Sequence, residues 1–177
     1  VSDTDTDAAD RQVLPWPVLR EVDVARMVEQ HATLRGLCTT LEHCADALPA
    51  RAAIIEAIDV SAALADCLRH HDFVESMVIG SLFESDPGVP MNILLGRIRH
   101  RHAVDHLHAE DLRDALEAER QSTGSERADA LGYMMRCLFD GCRRGIDFQE
   151  AALLMLAHDR LTLGARAALS ASLTGAI

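Results

Sequence analysis

Between Asp23 and Leu48, apolar residues return at steps of three and four: Val24, Met27, Leu34, Cys38, Leu41, Ala45 and Leu48, with His31 in the same series. That period marks one buried face of an amphipathic helix. Pro49 can end it and open the next segment. A second helix is predicted from about Pro49 or Ser61 to Glu84, with Leu64, Leu68, His71, Glu75, Val78 and Leu82 on its face. Asp86-Pro87-Gly88-Val89-Pro90 is a strong stop and turn signal. A third helix follows from about Asn92 to Arg120, with Leu95, Ile98, His102, His106, Ala109, Leu112 and Leu116 facing inward. The polar run Gln121 to Ser125 is a loop, and Ser125 suits an N-cap. The fourth helix is predicted from about Glu126 to His158, its face carrying Leu131, Met135, Leu138, Cys142, Ile146, Glu150, Leu153 and Ala157. Gly141 and Gly145 weaken its middle and leave room for a kink.

No alternating strand pattern of useful length interrupts these helices. Four long helices joined by short polar loops predict an all-α, up-down four-helix bundle. A short helix, Leu163 to Leu173, would cap it. The domain reading is an acidic, disordered tail over 1–20, the bundle over 21–160 and the capping helix within 161–177.

Composition narrows the function classes. The 177 residues are 49% hydrophobic but only 3% aromatic. All 17 cationic side chains are Arg, against 28 acidic ones, for a net charge of −11. Such a balance argues against nucleic-acid and anionic-membrane partners, which need a basic footprint. No apolar run approaches the about 18 residues of a membrane span. The chain opens with an acidic polar stretch that does not resemble a secretory leader. Cys38, Cys44, Cys67, Cys137 and Cys142 form no CxxC pair, and their number is odd. They read as reduced thiols of a cytoplasmic protein.

The chemistry-bearing anomaly is where the polar residues fall. Every predicted inner face carries a group that is expensive to bury: His31 on the first, His71 and Glu75 on the second, His102 and His106 on the third, Glu150 on the fourth. A buried carboxylate costs several kcal/mol unless a cation or a proton neutralises it. His71 and Glu75 are four apart, as are His102 and His106, so each pair projects from one helix face. Imidazole with carboxylate suits iron, manganese or zinc, and ligands from facing helices of a bundle build non-haem di-iron sites. The other five His, including His158, lie off these faces or too far along them. Tyr133 is also remote from Glu150 along its helix.

With these residues in place, the chain resembles the hemerythrin-like (HHE cation-binding) domain family. His31 followed by Leu34-Arg35 is similar to the family's first-helix pattern. His70-His71-Asp72-Phe73-Val74-Glu75, with Leu82-Phe83 beyond it, resembles the HHxxE…LFP motif. Arg101-His102 and Glu150 to Met155 resemble the third- and fourth-helix segments. The helix spacing is similar to that of the di-iron repair proteins of the group, and the resemblance spans about residues 22 to 160. It departs at Ile146, where the last-helix motif has a His. His106 partly compensates through its HxxxH spacing with His102, and Asp147 is an alternative carboxylate. The resemblance implies a ligand set of His31, His71, Glu75, His102, His106 and Glu150.

It also implies a non-haem iron protein that binds, senses or reacts with O2, NO or peroxide, with iron as cofactor. An electron-donor protein or a second copy of the chain stays open as a partner. Two other readings stay open. One is an oxidase or oxygenase acting on an organic substrate, favoured by the coordination position that loss of one His opens. The other is a metal-free regulatory bundle. His71-Asp72 is also the HD dipeptide of phosphohydrolases, but Asp72 lies one position off the inner face.

Overall fold

The computed structural model describes residues 21–83, 89–121 and 127–175. It is all-helical: α1 Glu21–Asp46, α2 Arg51–Phe83, α3 Val89–Gln121, α4 Ala128–Leu156 and α5 Leu163–Leu173, with a 3-10 turn His158–Arg160 before α5. There is no strand among the described residues. The acidic tail and most of the turn before α3 lie outside the described residues, as does the Gln121–Ser125 loop apart from Gln121.

The helices begin and end close to where the apolar period places them, with three differences. First, α2 takes the earlier of its two expected starts, because the Ala53, Ile54, Ala57 and Val60 face is already buried. Second, α3 starts at Val89 rather than Asn92. Pro90 therefore sits in a first turn, where its missing N–H leaves no intrahelical bond unmade. Third, α4 runs unbroken through Gly141 and Gly145. Those glycines serve a close approach instead. A Cβ at Gly141 would overlap the Arg101 guanidinium, and one at Gly145 would touch the Arg101 stem at 3.5 Å.

The long helices form a ring in which α1 packs on α2 and α4, and α3 packs on the same two. The fifth helix lies against α1 and α4. Thr162 starts α5 by accepting the Ala165 backbone N–H at 3.1 Å, a side-chain N-cap.

The core is split into two apolar clusters. One gathers Leu34 to Ala45 of α1, Ile54 to Leu68 of α2, Ala109 to Leu116 of α3 and Leu131 to Ile146 of α4. The other gathers Val24 to Val28, Val74 to Ile79, Ile98, Leu153, Ala157 and part of α5. Between them, each helix contributes one buried polar level: His31, then His71 and Glu75, then Asp105, then Gln149 and Glu150. Each apolar cluster keeps water from one side of this layer. The layer's own groups must therefore satisfy one another, or bind something that satisfies them.

None of the described helices is long and apolar enough to cross a membrane. All five cysteines are free thiols, and Cys38, Cys44 and Cys142 are buried among aliphatic neighbours in the larger cluster.

Candidate metal centre

Two helices bring the central trio together. His71 and Glu75 stand one turn apart on α2, and His102 faces them from α3. One ligand atom from each lies within 4.8 Å of the others. His71 and Glu75 are buried, at 2% and 1% exposure. His102 Nε2 lies 2.9 Å from Glu75 Oε2, and His71 Nε2 lies 3.8 Å from the same oxygen.

A carboxylate stands close behind His102. Its Nδ1 lies 2.9 Å from Asp72 Oδ1, so the opposite nitrogen is turned inward. This is the arrangement that fixes tautomer and ring direction in metal-ligating histidines. Asp72 also holds His106 Nε2 at 2.6 Å, at the half-buried edge of the helix pair. Burial opposes a proton on His102, but its bonds to Asp72 and Glu75 outweigh that and raise its pKa to about 10. His71 goes the other way. Burial, then the neighbouring His31 and His102, lower it to about 3, so it is a neutral imidazole. A neutral imidazole is the form that binds a metal.

A second group forms on the α1 side of the layer. Glu150 is fully buried. His31 Nδ1 donates to its Oε1 at 2.6 Å, and Ser172 of α5 donates to the same oxygen at 2.7 Å. Arg35 reaches both oxygens, at 3.3 and 3.1 Å, and bonds Asp147 at 2.8 Å and Ser172 at 2.9 Å. Burial raises the Glu150 pKa, yet the bonds from His31, Arg35 and Ser172 prevail and hold it at about 2. The His31 and His71 rings stand 4.8 Å apart, so the two groups adjoin.

Three of the six expected ligands, His71, Glu75 and His102, thus converge. His31 and Glu150 pair with each other beside that trio, and His106 bonds Asp72 away from it. Ile146 is buried in the larger apolar cluster.

Gln149, absent from the expected set, sits between the two histidines of the trio. Its amide atoms lie 2.6 Å from His102 Nε2 and 3.3 Å from His71 Nε2. Asp105 is also new. It is buried at 3% exposure and bonds Arg101 at 2.7 and 3.1 Å. Both could have been found by following the period through polar residues. Ile98, Asp105 and Leu112 are seven apart on α3, and Gly145, Gln149 and Leu153 are four apart on α4.

In and beside the layer, four polar atoms are buried without a hydrogen-bond partner: His31 Nε2, His71 Nδ1, Glu75 Oε1 and Asp72 Oδ1. Each such atom costs about 1–3 kcal/mol. A cation beside Glu75 would neutralise the carboxylate and engage lone pairs in this group, so the residues fit a metal. Two imidazoles and one carboxylate form the donor set of many non-haem Fe(II) sites.

A cleft of about 50 Å³ between α2 and α3 reaches Glu75 and His102, lined also by Ser76, Ile79, Leu95 and Ile98. It has room for a few water-sized molecules. A larger groove of about 400 Å³ runs between α3 and α4, along Arg97, His100, Arg101, Val104, Arg144 and Phe148. None of the trio lines its wall.

No family model, curated protein or solved structure matches the chain.

Proposed function

We propose that the protein is a non-haem iron protein on an up-down, hemerythrin-like bundle, and that its centre binds or reacts with O2, NO or peroxide. The observation that carries this reading is the convergence of buried His71 and Glu75 with half-buried His102. The alternation of helix ends between the two apolar clusters supports the up-down arrangement. A bound iron would supply exchangeable coordination positions for a small ligand.

The chain's own residues do the rest. Glu75 contributes negative charge, and His71 contributes a neutral nitrogen. Asp72, close behind His102, takes up positive charge that develops on its ring. The two apolar clusters limit water above and below the layer. The small cleft at Glu75 and His102 favours a diatomic molecule or peroxide over an organic substrate, because the larger groove does not open on the trio.

Metal analysis after anaerobic reconstitution with Fe(II) tests the reading, alongside His71→Ala and Glu75→Ala. The wild type should retain iron. Each variant should lose it with its far-UV circular dichroism largely kept. Iron retained by both variants would place the site elsewhere. Only traces of metal in the wild type would favour a metal-free regulatory bundle.

A further inference from the structure

Buried charge in the layer can be balanced residue by residue. Three of its carboxylates are buried: Glu75, Asp105 and Glu150. Asp105 has Arg101, and Glu150 has Arg35. Glu75 has only histidines around it. Glu75 is therefore the one buried carboxylate of the layer with no Arg beside it, and His102, 2.9 Å away, is its nearest cationic partner.

A second ion would find one unengaged donor on the α1 side, His31 Nε2, and the others already taken. Both Glu150 oxygens are taken, by His31, Ser172 and Arg35. Asp147, one turn before Glu150 on α4, binds the same guanidinium. His31 uses one nitrogen on Glu150, and His106 is held by Asp72. Ile146, one turn before Glu150, offers no donor and is 4% exposed.

We propose that the chain holds one metal ion, bound by His71, Glu75, His102 and the amide oxygen of Gln149, and that the Arg35 guanidinium stands as a fixed cation where a second ion would otherwise neutralise Glu150. The proposal rests on the metal reading above and changes its count and its ligand set. Gln149 is 3% exposed and lies between the two imidazoles. Rotating its terminal amide exchanges oxygen for nitrogen with little change in shape. An ion at the trio would take the oxygen. Arg35 is planar and permanently charged, so it can span Glu150, Asp147 and Ser172 at once.

The test is an anaerobic Co(II) titration of the full chain, followed by visible absorption, with metal analysis on the desalted product. The expected break is at one equivalent. Glu150→Gln should still bind one ion, whereas Gln149→Ala should bind it more weakly and change the ligand-field bands. A break at two equivalents in the wild type overturns the one-ion centre while leaving the metal reading standing. Absence of binding in the wild type overturns both. Loss of the ion in a folded Glu150→Gln protein would make Glu150 a ligand and overturn the assignment. Unchanged bands in Gln149→Ala would remove Gln149 from the set. The wild-type stoichiometry decides the ion count even if a variant does not fold.

Discussion

Replacing Arg35 by Met keeps much of the aliphatic stem and removes only the guanidinium. Glu150, with none of its surface exposed, would then keep His31 and Ser172 but lose its permanent cation. Breaking a buried ion pair from one side costs about 3–5 kcal/mol. The surviving bonds place this case at the lower end, near 3 kcal/mol. Titration gives a second route to the magnitude. The Glu150 carboxyl is held at about 2 against an ordinary value of 4.5. At about 1.4 kcal/mol per pKa unit, that shift is worth about 3.5 kcal/mol, shared among all three partners. Because the folded pKa is depressed, this stability is present above pH 4.5 and is lost as the pH falls through about 2. Urea unfolding of metal-free Arg35→Met at pH 7 should therefore show a loss of about 2–3 kcal/mol. The difference from wild type should shrink as the pH is lowered from 4.5 towards 3. A loss below about 0.5 kcal/mol, the size of an ordinary surface change, would refute the reasoning. So would a loss of constant size across that range, which would mean that Arg35 acts through packing alone.

Two further expectations use other parts of the fold. Gly141→Ala should destabilise by about 1–3 kcal/mol, because the new methyl displaces Arg101 from Asp105, whereas Gly36→Ala and Gly96→Ala should each stabilise by about 0.5–1 kcal/mol. Thermal melts of the three variants decide it, and a neutral Gly141→Ala would show that Arg101 finds an equivalent position. Metal-free protein should also lose stability as the pH rises from 6.5 towards 10, because the raised His102 pKa means that its proton is held only in the folded state. Asp72→Asn should flatten that slope in urea midpoints taken between those limits, and an unchanged slope would remove Asp72 from the control of His102.

The apolar period made the helices legible because burial and helix geometry impose the same spacing. All eight positions assigned to the inner face of the fourth helix are buried. The same rule located His71 and Glu75. It did less well on α3, where His102 and His106 are only half-buried and Asp105 is the residue turned inward. A search for apolar residues steps over an Asp, even when the period runs through it. On α4 the two adjacent residues Gln149 and Glu150 are both buried, facing different neighbours. Periodicity cannot distribute two such side chains between partners, since the choice depends on which helices flank α4. Nor could the Ser172 contact be read from sequence, because α5 had no assigned docking site. Gly141 and Gly145 were misleading for a related reason. Their weak helix propensity was visible, but the Arg101 side chain that needs their space comes from α3.

The polar layer also fixes the register of the bundle. Aliphatic clusters tolerate sliding, because one Leu or Ala resembles the next a turn along. The layer does not. A one-turn slip of α2, about 5.4 Å along its axis, would carry Glu75 away from His102 and toward an aliphatic cluster. The same slip of α4 would strand Arg35 without Glu150. Each misalignment would leave at least one buried charge unpaired, a penalty of several kcal/mol in a protein whose whole stability is of order 5–15 kcal/mol. Before any metal arrives, the histidines and carboxylates therefore act as a vernier that aligns the four long helices at one height.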